Sequence, residues 1–334
     1  MRNVAVVAGV GEHVPSTVVT NAELSDRFDT SDKWIRSRTG ISTRRRVAPE
    51  ESTSDLAVAA GAAALKSASA TGDDDVDLVV LATSTPDHSC PATAPAVARR
   101  LGLGEVPAFD IAAVCSGFVY GLAVADGMLA AGTARRVLLV GADVFSRIVD
   151  PQDRAASTVF GDGAGAVVLR AGVAGEPGAV ASFDLGSDGD LTDLIVVRAG
   201  GARQPDRAAA DHADRWFAMQ GQAVYRHAVT RMAASARTAL DRAGWTPDDV
   251  DRFVAHQANA RILATVGAEL GIAADRVYSN IAAVGNTVAA SIPLALADAA
   301  ADGELRAGDR VLLSAFGGGA TWGAAALTWP DLAA

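Results

Sequence analysis

The sequence predicts an α/β protein in which two similar halves share one core. Short apolar runs bounded by glycine alternate along the chain with longer, alanine-rich segments of helical length. Residues 110–117 (Asp-Ile-Ala-Ala-Val-Cys-Ser-Gly) recur at 280–287 as Asn-Ile-Ala-Ala-Val-Gly-Asn-Thr, and Arg-Val-Leu-Leu at 136–139 recurs at 310–313. Half of the 334 residues are hydrophobic, which is enough to bury a large core. A duplicated scaffold explains these features.

Ten segments have the short apolar pattern that is typical of buried strands. In the first half, residues 1–170, they are Val4–Val10, Leu78–Ala82, Ala108–Val114, Val137–Val140 and Ala164–Leu169. In the second half, residues 171–334, they are Val180–Phe183, Phe253–Ala255, Val277–Ile281, Val311–Ala315 and Ala324–Thr328. Helices are predicted over 54–70, 116–131, 220–243, 260–270 and 287–301. This alternation favours largely parallel strands, with a polar connection near 171–215.

Composition and charge narrow the classes of function. The formal net charge of −10 disfavours nucleic acid and anionic membranes as partners. No apolar stretch approaches the roughly 20 residues that a membrane span needs. The apolar start ends at Glu12, too early for an export signal, so we expect a first strand in a cytoplasmic protein. Two cysteines are too few for a disulfide framework and lack zinc-ligand spacing, so no metal is expected.

Cys115 is the candidate nucleophile. It follows the predicted strand that ends at Val114 and precedes the small residues that begin a predicted helix. Free N–H groups and the positive end of the helix dipole favour a thiolate at such a position. A buried packing cysteine is the alternative, and the strand-turn-helix setting argues against it.

Three further segments offer groups that could act beside a thiolate. His256 ends a predicted strand, and Asn286 lies at the repeat position that matches the residue after Cys115. An asparagine in a turn is ordinarily a cap, but here its amide could donate to a developing oxyanion. Glycines 317–319 after Phe316 would let backbone N–H groups approach a carbonyl closely. The glycine-rich segment 161–165 enters a strand rather than a helix, which excludes dinucleotide binding.

Six ordered motifs resemble the β-ketoacyl-acyl-carrier-protein (ACP) synthase III family of the thiolase fold. They are Thr30-Ser-Asp-Lys-Trp34-Ile-Arg-Ser-Arg38-Thr-Gly-Ile41, Cys115-Ser-Gly-Phe, Phe160-Gly-Asp-Gly-Ala-Gly165, His256-Gln-Ala-Asn259, Gly285-Asn286-Thr and Phe316-Gly-Gly-Gly-Ala-Thr-Trp-Gly323. The resemblance spans essentially the whole chain. It implies a homodimer of five-layered α-β-α-β-α subunits, with a Cys-His-Asn site at the foot of a pantetheine tunnel.

The resemblance also implies a role for each matching residue. Cys115 would accept an acyl group from acyl-CoA, and His256 and Asn286 would bind the thioester carbonyl of malonyl-ACP while it loses carbon dioxide. The N–H groups of Cys115 and Gly318 would stabilise the resulting oxyanion, and Phe316 would shape the pocket. No metal or redox cofactor is implied, because acyl-CoA is a substrate. The remaining implied contacts are Thr30, Trp34, Arg38, Arg154, Gln222 and Asn259 for CoA, and Arg226 and Arg261 for the carrier protein.

Three positions depart from the pattern of the family. Cys90 stands where a bulky aromatic often closes the acyl pocket across the dimer interface in acetyl-specific relatives. A smaller side chain leaves room, so our hypothesis is a primer larger than acetyl, which would start a fatty acid or polyketide chain. Ala320 replaces a usual phenylalanine and Gln222 a usual asparagine, and the sequence predicts no consequence of either change.

Two other functions fit the same scaffold. A non-decarboxylating acyltransferase would move the acyl group from Cys115 to a carrier thiol or a hydroxyl. Asn286 argues against it, because a residue that orients His256 as a base is more often an aspartate. A non-catalytic subunit that docks carrier proteins would not need a cysteine, a histidine and an asparagine together.

Overall fold

The computed structural model describes residues 3–70, 72–73 and 75–332. The strands are β1 (Val4–His13), β2 (Thr17–Thr20), β3 (Thr43–Arg46), β4 (Leu78–Ala82), β5 (Ala108–Ile111), β6 (Arg136–Asp143), β7 (Gly163–Gly172), β8 (Val180–Ser187), β9 (Ile195–Val196), β10 (Ala218–Met219), β11 (Arg252–Ala255), β12 (Arg310–Gly317) and β13 (Thr321–Thr328). The α-helices are α1 (Asn21–Arg27), α2 (Asp32–Thr39), α3 (Thr53–Ser69), α4 (Ala94–Arg100), α5 (Gly117–Ala130), α6 (Arg154–Val159), α7 (Gly221–Ala243), α8 (Ala260–Leu270), α9 (Ile281–Val284) and α10 (Ser291–Ala301).

Two mixed sheets form the framework. The first has the strand order β1-β7-β6-β4-β5, and the second has the order β11-β12-β13-β8. The pairs β4–β5, β4–β6 and β11–β12 are parallel, whereas β1–β7, β6–β7, β12–β13 and β8–β13 are antiparallel. The prediction of largely parallel strands is therefore wrong. In the second sheet the reason is local, because the turn from Gly317 to Thr321 is too short for a parallel crossover.

Helices and sheets stack in five layers. Helices α3 and α4 cover the outer face of the first sheet, and α7 and α8 lie on the outer side of the second. Helices α5 and α10 lie between the sheets, and α5 contacts strands of both. Buried apolar residues of α5, including Phe118, Leu122 and Leu129, join both sheets in one core. A helix whose side chains are mostly apolar suits such a central layer. The order is the α-β-α-β-α order of the thiolase fold.

Each half contains a turn with similar backbone geometry, but the two turns do not lie at the positions that the sequence repeat predicts. Val114 and Val288 both have positive φ, 46° and 55°, and each begins a short 3-10 turn that leads into a central helix. Cys115 therefore corresponds to Ala289, and its predicted match with Gly285 is wrong. In the first half, strand β5 ends at the isoleucine of the shared Ile-Ala-Ala-Val sequence. In the second half the same four residues form helix α9, so the turn comes later relative to the repeat.

Two predicted strands also differ from the structure. The strand predicted over Val277–Ile281 is wrong, because Val277 makes one isolated bridge to Phe253 and the chain then turns into α9. The strand predicted over Ala108–Val114 ends at Ile111. The N-terminal elements β2, α1, α2 and β3 have no counterpart among the predictions, because they are short and polar. No helix in the described part of the chain is both long enough and apolar enough to cross a membrane.

Candidate active site

Cys115 lies in the turn between strand β5 and helix α5, with 8% of its surface exposed. The residue before it, Val114, has a φ of 46°, which is strained for a β-branched side chain. Such strain persists where the surroundings hold the backbone, and it is common at functional turns. The turn continues directly into α5, so the sulfur lies at the N-terminal end of that helix.

The protonation state of Cys115 differs from the thiolate expected from the sequence. Burial raises the pKa of the Cys115 thiol well above its usual range, and the nearby Asp143 carboxyl raises this pKa further. The backbone N–H of Cys115 itself acts in the opposite direction. The resting thiol is therefore protonated at neutral pH and must lose its proton during the attack on a thioester.

His256 follows strand β11 and is 2% exposed. Its backbone N–H donates to the carbonyl of Ser314 at 2.8 Å, which continues the pairing of β11 with β12. Its ring atom Nδ1 lies 2.6 Å from Ser291 Oγ, at the start of α10. Burial lowers the pKa of His256 to about 3, so the imidazole is neutral at physiological pH.

Asn286 is fixed by its backbone and by one side-chain atom. Its N–H donates to the Val159 carbonyl at 2.9 Å, and its Oδ1 accepts from the N–H of Val288 at 3.0 Å. The preceding Gly285 has a φ of 73°, and a Cβ there would lie 2.9 Å from the Val159 oxygen. With Oδ1 oriented toward Val288, the amide nitrogen has N–H groups to offer to a ligand.

Cys115, His256 and Asn286 line one cavity of about 160 Å³. The candidate residues Phe316 and Asn259 line it as well. Most of its other lining residues are apolar, and they include a cluster of three aromatic rings, Phe145, Phe160 and Phe217, with centroids 4.7 to 5.0 Å apart. The cavity combines one thiol with a few polar groups in an apolar wall, as small-molecule sites do.

The glycine loop 317–319 packs directly on the nucleophile turn. A Cβ at Gly317 would lie 2.8 to 2.9 Å from Ala113 O, Cys115 N and Ser116 N, so only glycine fits there. Thr321 Oγ1 lies 2.8 Å from Ser116 Oγ and 3.1 Å from the carbonyl oxygen of Gly318. These hydroxyls join the two segments that carry the predicted oxyanion donors, Cys115 and Gly318. The pairing of Ser116 with Thr321 could not be predicted from local sequence patterns, because the two residues are 205 positions apart.

Four of the residues predicted to bind CoA contact one another, and one of them, Asn259, lines the cavity. Trp34 is 38% exposed, and the guanidinium carbons of Arg154 and Arg38 lie 5.2 and 5.8 Å from its ring centroid. Thr30 has a buried hydroxyl without a hydrogen-bond partner in the described part of the protein. Asn259 caps α8 through its Oδ1 and donates from Nδ2 to the Arg38 carbonyl at 3.1 Å. These contacts join α2, α6 and the start of α8 beside the cavity that Asn259 lines.

The other predicted residues lie outside the cavity lining. Gln222 and Arg226 are exposed on α7, and Arg261 donates to the Ser37 carbonyl at 2.8 Å from the first turn of α8. Cys90 is exposed on a loop. Ala320 is buried, and its backbone exchanges two hydrogen bonds with Asp188. Among the described residues, no group of three or more His, Cys, Asp or Glu side chains could hold a metal ion.

Comparisons with known proteins agree on one family. The sequence model of the 3-oxoacyl-ACP synthase III family matches residues 109–189, and the sequence model of the family's C-terminal part matches residues 240–329. The chain is 60% identical to β-ketoacyl-ACP synthase III 3 of Streptomyces coelicolor, over 99% of this chain and 98% of that one. It is 52% identical to the β-ketoacyl-ACP synthase III of Pseudomonas aeruginosa, with the same coverage of each chain.

Solved structures agree with the sequence relatives. The crystal structure of 3-oxoacyl-ACP synthase III from Pseudomonas aeruginosa superposes with a TM-score of 0.92 at 51% identity, covering 99% of this chain and 100% of that one. A priming β-ketosynthase from a polyketide biosynthetic pathway superposes with a TM-score of 0.91 at 33% identity, covering 99% and 97%. The chain belongs to the 3-oxoacyl-ACP synthase III family.

Proposed function

We propose that this protein is a decarboxylating condensing enzyme, which joins the acyl group of an acyl-CoA primer to malonyl-ACP. The observation that carries the proposal is the grouping of one thiol, Cys115, with the side chains of His256 and Asn286 in a single apolar cavity. This grouping supplies a nucleophile and two hydrogen-bonding groups for a developing oxyanion. Membership of the family supports the same reaction.

In the first step Cys115 takes the acyl group. Its sulfur attacks the thioester carbonyl of acyl-CoA, the bond to the CoA sulfur breaks, and the thiol proton leaves with free CoA. The N–H groups of Cys115 and Gly318 are the proposed donors to the tetrahedral oxyanion. The N-terminal end of α5 favours negative charge on the sulfur during the attack.

In the second step malonyl-ACP enters the site that CoA has left. Its thioester carbonyl accepts hydrogen bonds from His256 and Asn286, the carboxylate departs as carbon dioxide, and the two donors stabilise the enolate. The enolate carbon attacks the acyl-cysteine, and the new carbon–carbon bond releases the Cys115 sulfur. One proton from solvent restores the thiol. The step needs no metal or redox cofactor, because two neutral donors meet the negative charge.

Carbon dioxide release tests the proposed reaction. We expect one molecule of carbon dioxide for each molecule of 3-oxoacyl-ACP when acyl-CoA and malonyl-ACP are both present. An acyltransferase would move the acyl group without releasing carbon dioxide, and a docking subunit would neither release it nor become acylated. Acyl transfer to the carrier at full rate without carbon dioxide would contradict the proposal.

Arg226 and Arg261 are the proposed docking residues for the acidic carrier protein. Both are exposed and each is next in sequence to a residue that lines the cavity, and they offer local positive charge on a chain of net charge −10. We expect Arg226→Ala to raise KM for malonyl-ACP about 3- to 10-fold at low salt and less at high salt, because salt screens the attraction. Kinetics at two ionic strengths measure this effect.

Arg226 gives the cleaner variant, because Arg261 also bonds the end of α2. Kinetics with malonyl-CoA, which lacks the carrier, provide the control and should not change in Arg226→Ala. If replacing either arginine leaves KM for malonyl-ACP unchanged at every salt concentration, the docking assignment is contradicted.

We also propose a cytoplasmic homodimer whose partner subunit completes the acyl pocket. A surface groove of about 210 Å³ shares Val114, Phe145, Ile195 and Phe217 with the active-site cavity. The groove therefore adjoins the cavity, and in the proposed dimer a second copy covers it. The exposed Cys90 loop is the proposed cover, because the matching position in acetyl-specific relatives carries an aromatic residue.

The primer prediction follows from this pocket. Acylation of Cys115 should be faster with isobutyryl-CoA or hexanoyl-CoA than with acetyl-CoA, since each buried methylene contributes about 0.8 kcal/mol. Cys90→Phe should reduce acylation by the two larger primers about 10-fold or more and spare acetyl-CoA. Rates of acyl-enzyme formation for the three thioesters measure both effects. A clear acetyl preference in the unaltered protein would contradict the hypothesis.

A further inference from the structure

Ser291 is a buried serine that contacts the imidazole of His256. It is the first residue of α10 and is 1% exposed. Its Oγ lies 2.6 Å from His256 Nδ1 and 3.3 Å from the backbone nitrogen of Gln257. No local sequence pattern links Ser291 to His256, because the two residues are 35 positions apart.

The hydrogens in this contact can be assigned by elimination. The Gln257 N–H can only donate, so Ser291 Oγ accepts from it. Within the described residues, the hydroxyl proton of Ser291 has one acceptor in reach, His256 Nδ1. If Nδ1 carried a proton, the Ser291 hydroxyl would have two choices. Its own proton would point at the Nδ1 proton across the 2.6 Å between Oγ and Nδ1, or it would point elsewhere and remain buried without an acceptor. Either arrangement is costly. Nδ1 is therefore the acceptor.

We infer that Ser291 is a positioning residue that holds His256 as the neutral tautomer with its proton on Nε2. The ring atom Nε2 is then a donor toward the cavity that His256 lines with Cys115 and Asn286. Asn286 is fixed in a comparable way, because Val288 N–H uses its Oδ1 and leaves its NH₂ group as a donor. Ser291 thus orients His256, and the Val288 N–H orients Asn286, so that both side chains donate hydrogen bonds into the same cavity.

The tautomer limits His256 to one of the two steps of the proposed reaction. This division of roles rests on the proposed function. A ring nitrogen that already carries a proton cannot take the proton of Cys115, so His256 does not act as the base in acylation. It does serve a carbonyl that becomes an enolate, because that oxygen needs donors. Ser291 should therefore matter for decarboxylation and not for transfer of the acyl group to Cys115.

The experiment measures the His256 tautomer and the two partial reactions separately. Long-range ¹H–¹⁵N spectra of protein labelled in its five histidines distinguish the tautomers, and His256→Ala identifies the signal. Acylation is followed by mass spectrometry with acyl-CoA, and decarboxylation by carbon dioxide release from malonyl-ACP. The variants are Ser291→Ala, Ser291→Thr, which keeps the hydroxyl, and Ser235→Ala. Ser235, on α7, is a comparably buried serine, and its hydroxyl donates to Asp184 Oδ2 at 2.8 Å.

The expected result is an Nε2-protonated His256 in the unaltered protein. Ser291→Ala should lower the rate of carbon dioxide release about 10-fold or more and leave acylation within about 2-fold, since one hydrogen bond is lost. Ser291→Thr should recover part of the loss, and Ser235→Ala should change neither rate.

A proton on Nδ1 at neutral pH in the unaltered protein would overturn the inference, whatever the variants do. Unchanged carbon dioxide release in a folded Ser291→Ala protein would overturn it as well. Failure of the unaltered protein to release carbon dioxide from malonyl-ACP, with Nε2 protonated, would instead contradict the proposed function and support the tautomer.

Discussion

Cys115→Ala is expected to abolish acyl-enzyme formation and to lower the rate of condensation by about 10³-fold or more. The reason is that the proposed reaction passes through a covalent acyl-cysteine, and Cys115 supplies the only thiol among the described residues that line the cavity. Intact-protein mass spectrometry after incubation with acyl-CoA measures the adduct, and product formation from malonyl-ACP measures turnover.

The chain contains its own control for this experiment. Cys90 is the other cysteine, and it is exposed. Peptide mapping of the unaltered protein should find the acyl group on Cys115 and none on Cys90, because the proposed oxyanion donors, the N–H groups of Cys115 and Gly318, lie beside the Cys115 sulfur. Labelling of Cys90 alone, or a Cys115→Ala protein that condenses at the normal rate, would refute the assignment.

The second large effect is expected at the two donors. His256→Ala and Asn286→Asp should each lower carbon dioxide release from malonyl-ACP about 10²- to 10³-fold, the typical cost of removing one oxyanion donor. Asn286→Asp is the sharper variant, because the acid keeps an oxygen for Val288 N–H while it replaces the donating NH₂ group. The rate of Cys115 acylation by acyl-CoA, measured in parallel, should change much less.

A second histidine provides a matched control. His13 lies on strand β1, outside the cavity lining, and His13→Ala should leave both partial reactions unchanged. Thermal unfolding of each variant separates loss of the donor from loss of the fold. Equal losses of acylation and decarboxylation in a stable Asn286→Asp protein would show that Asn286 serves both steps, contrary to the division of roles.

Much of the site was predictable from the sequence because its main residues follow strand ends. Cys115 follows β5 and His256 follows β11, and in a duplicated α/β fold such positions converge. In the structure both residues line one cavity. The helix predicted over 260–270 is also confirmed, since its apolar residues have a clear helical period.

Other features depend on contacts that a sequence does not contain. The same Ile-Ala-Ala-Val sequence ends a strand before Cys115 and forms helix α9 before Gly285, so local propensity could not set the register of the repeat. The raised pKa of the Cys115 thiol comes from burial and from Asp143, 28 residues away in sequence. Ser291 and Thr321 act through partners on distant elements.

The most direct test of the central claim is a single-turnover chase of the acyl-enzyme. Protein acylated by acyl-CoA and freed of excess CoA ester is mixed with malonyl-ACP, and its mass is followed over time. We expect the acyl group to leave Cys115 at the rate at which carbon dioxide and 3-oxoacyl-ACP form, in equal amounts. An acyl group that stays on the protein while 3-oxoacyl-ACP accumulates would contradict the covalent mechanism.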